Sequence, residues 1–179
     1  MRFWARAGMR PVRIGITREA SSGQHSAVMV EGLSSRGREL AQRVQARFAA
    51  EWPLRLPEFF TDLTPELVQS VIRTAGDAAP AQPLEEDEQA ALAAFVRGQQ
   101  PYENVAVAVW KAALAMLSHA GSNAEHDPRT TAALVVKVLQ KRSWSEAASA
   151  GGFTGQRQLR EALREALAEH QSASRVSGE

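Results

Sequence analysis

SWSEAASAGGFTGQRQLREALREA, residues 143–166, holds the densest run of local structural signals in this chain. Ser143 and Glu146 stand at the spacing of a capping box. The serine oxygen accepts from the Glu146 backbone N–H, and the glutamate reaches back to the serine N–H. The pair predicts a short helix from Trp144. Gly151-Gly152 offers the left-handed conformation that ends such a helix, and Thr154 is placed to cap another beginning near Gly155. In that next helix, at about 100° per residue, Leu159, Ala162, Leu163, Ala166 and Leu167 share one face. Opposite them, Arg157, Arg160 and Arg164 form one flank and Glu161, Glu165 and Glu169 the other.

Helix, tight turn, helix is the skeleton of a helix-turn-helix unit. Arginines near the second helix N-terminus can enter the major groove, where the guanidinium fork matches guanine edges or phosphate oxygens; glutamines can read adenine or phosphates. Thr154, Gln156, Arg157, Gln158, Arg160 and Arg164 are then the candidate DNA contacts. Ala147-Ala148, Gly152-Phe153, Thr154, Gln156, Leu159 and Leu163 carry a further pattern: paired small residues, Gly-Phe, a polar cap, then apolar residues four apart. With these, residues 144–166 resemble the second helix-turn-helix of AraC-type transcription regulators. The resemblance implies double-stranded DNA as partner and a role in transcription regulation. Two other readings of the same residues stay open. Arg157–Glu161 at four-residue spacing also suits the solvated face of a structural hairpin, and the same face can bind a protein partner.

Working outward, Asp127-Pro128 opens the preceding helix, RTTAALVVKVLQKR, with Leu134, Val135, Val138 and Leu139 inward and Lys137, Lys141 and Arg142 towards its end. Before it, ENVAVAVWKAALAMLSHA follows Pro101, runs to Gly121 and is apolar on more than one side, as a central core helix is. EEDEQAALAAFVR ends at Gly98, and its acidic start opposes the positive end of the helix macrodipole. DAAPAQPLEEDEQ reads as a linker. Upstream, Thr64-Pro65-Glu66 caps a helix that stops at Gly76. A helix from about Arg36 to Trp52 turns Leu40, Val44 and Phe48 inward and is broken by Pro53 and Pro57. VRIGITRE and HSAVMVEG flank a Ser/Gly turn; apolar residues alternate at Val12, Ile14, Ile16 and at Val28, Val30, which predicts a β-hairpin with an exposed tip at Ser22-Gly23-Gln24.

The fold expected is mainly α: a helical bundle with a small N-terminal β-hairpin and a C-terminal helix-turn-helix. Residues 1–76 form a hairpin-plus-helices region, 84–170 a helical domain and 171–179 a disordered tail.

The 179 residues contain no cysteine, which excludes disulfides and thiolate metal sites. A net charge of +1 argues against indiscriminate nucleic-acid binding, but it conceals a gradient. Residues 1–52 sum to +5, residues 53–126 to −6 and residues 127–170 to +2. No apolar run approaches the roughly 18 residues of a membrane span, and no signal-peptide core follows the basic MRFWARAGMRPVR. The expected location is the cytoplasm, with Met1 or Met9 as the start. His25, His119, His126 and His170 show no ligand spacing. Gly121-Ser122-Asn123 lacks the lysine of a phosphate loop. The acids at 85–88 have nothing to separate their pKa values, and Trp110 and Trp144 sit at packing positions. No enzyme activity, cofactor or metal is expected. The function expected is DNA binding by a regulator or accessory factor, alone or as a homodimer. The alternative is a helical adaptor that binds protein partners.

Overall fold

The structure, a computed structural model, describes residues 2–76, 82–118 and 127–176. It comprises two compact units, Met1–Pro80 and Ala81–Glu179.

In the first unit a short helix α1 (Arg2–Arg6) precedes an antiparallel hairpin of β1 (Arg10–Arg18) and β2 (His25–Val30). The hairpin lies where its alternation placed it, and Ser22, Gly23 and Gln24 are exposed. Irregularities between Pro11 and Arg13 and between Ile14 and Arg18 break the alternation. Each such bulge re-aims the side chains beyond it. Ile14 is therefore buried whereas Ile16 is not.

Helix α2 (Ser35–Phe59) corrects the sequence reading twice. It is capped by Ser34, whose side chain accepts from the Gly37 N–H at 3.1 Å, but it continues through Pro53 and Pro57. Each proline removes one helical hydrogen bond and crowds the preceding turn. The gain opposing that is burial: Trp52, Pro53, Leu56 and Phe60 all lie in the core, with Trp52 and Phe60 ring centroids 4.6 Å apart. The inward face is Ala41, Phe48, Ala49 and Trp52, leaving Leu40 and Val44 towards solvent. Helix α3 (Pro65–Gly76) starts at Thr64 as expected and packs Val68, Val71 and Ile72 inward.

The second unit holds α4 (Glu86–Val96), α5 (Tyr102–Ser118), α6 (Pro128–Leu134), α7 (Trp144–Ala150) and α8 (Gln156–Val176). Gly98 adopts φ +75° directly after α4. The Gln99 N–H then donates to the Ala94 carbonyl and the Gly98 N–H to that of Phe95, both at 2.9 Å. This is the Schellman arrangement that a glycine in the left-handed region permits. In α5 Val105, Ala108, Val109, Ala112, Ala113, Met116 and Leu117 are buried, so this helix is central, as its all-round apolarity predicts. Its expected stop at Gly121, the middle of the linker (77–81), His119, His126 and the last tail residues (177–179) lie outside the described residues.

Two features of this unit were not expected. Past Leu134 the α6 ladder widens into a π-helical turn, Val135–Leu139, in which Val135, Val136, Val138 and Leu139 are buried. Helix α8 extends to Val176, so residues 171–176, read as tail, are helical.

Candidate nucleic-acid interface

Ser143 and Glu146 form the capping box that their spacing predicts. The Glu146 N–H donates to Ser143 Oγ at 3.2 Å, and the Ser143 N–H donates to Glu146 Oε2 at 2.9 Å. Donation from the Ser143 hydroxyl, then the Arg142 guanidinium, holds the Glu146 carboxyl down at about 2. At the other end of α7, Phe153 N–H donates to the Ala148 carbonyl (2.8 Å) and Gly152 N–H to that of Ser149 (3.0 Å). Gly152 sits at φ +63°. Arg129, from the first turn of α6, clamps this turn from outside. Its guanidinium donates to the Gly151 and Gly152 carbonyls at 3.0 and 2.6 Å and lies 4.7 Å from the Phe153 ring centroid. Helix α8 leaves the clamp with Leu159, Leu163, Ala166 and Leu167 buried against the rest of the unit.

A group of cations and aromatic rings forms where α4, α5, the π-helical turn, α7 and α8 meet. The Arg160 guanidinium lies 4.5 Å from the Trp144 ring centroid. Lys137 Nζ lies 4.9 Å from that same centroid and 5.4 Å from the Tyr102 centroid. Tyr102 meets Trp144 edge-on at 5.1 Å and Phe95 at 6.4 Å. Arg164 completes the row, 5.2 Å from the Phe95 centroid. Cations are drawn to ring faces by the aromatic quadrupole, more strongly where water is excluded. The surroundings are dry enough to move two pKa values. Burial, then the Glu103 charge, pushes the Tyr102 hydroxyl up to about 12. Burial, with the neighbouring Arg160 acting in the same direction against the pull of Glu103, lowers the Lys137 ammonium. Lys137 also donates to the Arg142 carbonyl at 3.0 Å.

The six residues read as DNA contacts separate into two groups. Arg160 and Arg164 enter the cation–aromatic group, half-buried. Gln158 is exposed but folds back on the helix end: its Oε1 accepts from the Thr154 N–H and hydroxyl at 2.9 and 3.0 Å. Thr154 thus ends up capped by Gln158. Arg157 projects with its side chain 94% exposed and approaches Glu161 at 3.4 Å. Gln156 is exposed beside it. The helix and turn positions are therefore present, but the side chains that would enter a major groove do not act together. Arg160 and Arg164 lie back on rings of other helices. Trp144, read as a packing residue, is half-exposed and seats two cations. Tyr102 and Phe95 were missed, because no local pattern ties them to residues about 40 and 70 positions further along.

Among the described residues, no cluster of three or more His, Asp or Glu could hold a metal ion, and no helix is long and apolar enough to cross a membrane.

The family described as "tRNA-binding domain" matches this chain over residues 37–173. The chain belongs to that family. It is similar to the tRNA(Met) cytidine acetyltransferase TmcA of Nitrosococcus halophilus, 38% identical over 167 residues, which is 93% of this chain and 22% of that protein. The TmcA of Vibrio cholerae is 30% identical over 163 residues, 90% of this chain and 21% of that protein. The archaeal TmcA of Pyrococcus abyssi is 27% identical over 150 residues, 83% of this chain and 18% of that protein. The chain thus spans about a fifth of the length of these relatives.

Family membership corrects the sequence reading of function. Residues 144–166 are part of a tRNA-binding domain, not an AraC-type helix-turn-helix. The expectations of a DNA-binding regulator, of transcription regulation and of double-stranded DNA as partner are overturned with it. What misled is physical. A capping box, a glycine turn and leucines four apart solve a local problem, ending one helix and starting another, that many helical folds share.

Proposed function

We propose that this chain binds tRNA, as the RNA-holding part of a protein that modifies it. The observation that carries this reading is the family match, which takes in most of α2, all of α3 to α7 and most of α8. The relatives are named for acetylating a cytidine of tRNA(Met). The corresponding role here is to hold the tRNA body while chemistry takes place on sequence beyond the fifth of those proteins that this chain matches. A tRNA partner also accords with a cytoplasmic location.

Of the residues singled out in the sequence, Arg160 and Arg164 are carried forward as RNA contacts; Thr154 and Gln158 are engaged with each other. The local surplus of +2 over residues 127–170 suits a polyanionic partner.

The test is a competition titration. A labelled, unmodified tRNA(Met) transcript is bound by the chain at fixed salt, then displaced by unlabelled tRNA or by duplex DNA of equal charge. Displacement by tRNA at concentrations at least about tenfold below those needed for the duplex supports the reading, since backbone charge alone recognises neither. Equal displacement, or no binding of tRNA at all, rejects it.

A further inference from the structure

Three cations of the second unit share an unusual circumstance. Lys137, Arg160 and Arg164 each lie over an aromatic ring, at 4.9, 4.5 and 5.2 Å from the centroids. Among the described residues, none of the three has a carboxylate within 4 Å, although Lys137 donates to the Arg142 carbonyl at 3.0 Å and Glu103 acts on it from further away. Other cations of the same unit do: Lys111 meets Glu88 at 2.7 Å, Arg142 meets Glu146 at 2.6 Å and Arg157 meets Glu161 at 3.4 Å. Arg129 differs again, because its guanidinium is spent on two carbonyls. On α8 Glu161 stands three residues before Arg164, a spacing that permits an ion pair, yet Arg164 lies on the Phe95 ring instead.

Two details show that cationic charge is concentrated here and that one of its N–H groups is buried unpaired. Lys137 and Arg160 sit at the same indole, so two like charges crowd one ring and repel each other, and an anion placed between them relieves that repulsion. Arg164 Nε is buried and donates to no acceptor among the described residues. A buried N–H without a partner costs the whole of its lost hydration. Arg160 and Arg164 are four residues apart on α8, which puts their Cβ atoms about 5–6 Å apart on one face. Guanidinium forks so spaced suit neighbouring phosphodiester groups of one strand, each accepting two N–H bonds.

We propose that Arg160 and Arg164, with Lys137 beside them, form a cradle for the phosphate backbone of the RNA, and that Trp144, Tyr102 and Phe95 are the seats that hold these cations. The rings are not base-stacking platforms. Trp144 already has Arg160 and Lys137 within 5 Å of its centroid and Tyr102 edge-on at 5.1 Å, so a base stacking there has to compete with these neighbours. Seating long cationic side chains on rings fixes their heads in advance, so less freedom is lost when phosphate arrives. This inference rests on the tRNA reading, and it adds the place and the chemistry of contact.

The test uses the full chain and an unmodified tRNA transcript, with affinity measured across a salt series for wild type, R160Q, R164Q and the control R157Q. Losing one phosphate contact should lower the slope of log affinity against log salt by about 0.7–0.9. R160Q and R164Q should each show that change, with affinity falling about tenfold, as expected for a charged hydrogen-bonding group. R157Q removes the same formal charge from the same helix and should leave the slope unchanged. R160K and R164K keep the charge and should restore the slope, which separates charge contact from mere loss of packing should a glutamine variant melt early. If wild type binds tRNA while R160Q and R164Q bind with its affinity and slope, the cradle is wrong and the tRNA reading survives. If affinity falls with the slope intact, the contact is to bases and the phosphate assignment is overturned. If wild type does not bind, the tRNA reading itself fails first.

Discussion

Gly151 and Gly152 are adjacent and both precede α8, yet the structure requires glycine at each for a different reason. Gly152 is at φ +63°, but a Cβ there would meet nothing closer than Arg129 Nε at 4.0 Å. Substitution by alanine therefore brings only the conformational penalty of an L-residue in the left-handed region, about 1–2 kcal/mol. Asparagine, which visits that region more readily, should cost less. Gly151 has an ordinary helical backbone, φ −84°. Its Cβ, however, would lie 2.5 Å from Phe153 Cε2 and 2.7 Å from the Arg129 carbonyl oxygen. Ordinary Cβ contacts begin at 3.4 Å, so the backbone of α6 and the turn must part by most of an ångström. The same displacement stretches the Arg129 bonds to both glycine carbonyls. Overpacking of this kind costs about 1–3 kcal/mol, and disturbing a charged hydrogen bond adds about 1.5 kcal/mol or more. Gly151→Ala should thus be the worse of the two, by about 1–2 kcal/mol, and asparagine should rescue position 152 only. Urea unfolding of G151A, G152A and G152N reads the order from the midpoints. A G151A midpoint within error of wild type, or G152N as damaging as G151A, would refute the account of the turn.

Lys141 occupies the left-handed region at φ +53° without being glycine, so Lys141→Gly should raise stability by about 0.5–1 kcal/mol; a lower midpoint in the same urea assay contradicts this. Arg129→Ala removes both bonds to the turn and the contact with Phe153, and should cost about 2–3 kcal/mol, with lysine recovering less than half because it lacks the fork. The Glu146 carboxyl, held at about 2 against 4.5 when free, stabilises the fold fully above pH 4.5 and progressively less as pH falls towards 2. The melting-temperature difference between wild type and Glu146→Gln should shrink across that window, and a constant difference would remove Glu146 from the acid response.

Local chemistry made much of the fold legible. Capping residues Thr64, Asp127 and Ser143, and the glycines at 98 and 152, each report on a few neighbouring bonds, and helices start or stop where they stand. What escaped depends on partners far along the chain. Pro53 and Pro57 break an isolated helix, but here Trp52 and Leu56, which precede them, are buried and the helix persists. The π-helical turn has no marker in VVKVL; it places Lys137 at the surface while its four apolar neighbours stay inside. The candidate site was legible in the same proportion. The arginines of α8 drew notice from their spacing, but their direction is set by Trp144 and Phe95, which the sequence alone does not place beside them. The partner was misread because a guanidinium suits a phosphate of DNA and of RNA equally well; the family match, not the spacing, separates the two.

Photo-cross-linking of the chain to a tRNA(Met) transcript that carries azidophenacyl groups on backbone phosphorothioates, followed by mass-spectrometric mapping of the linked peptides, tests the central claim most directly. The account predicts cross-links in excess over a duplex-DNA control, concentrated in peptides that carry Lys137, Trp144 and Arg160–Arg164. Cross-links confined to the arginine-rich residues 2–52, or no excess over the duplex control, would contradict it.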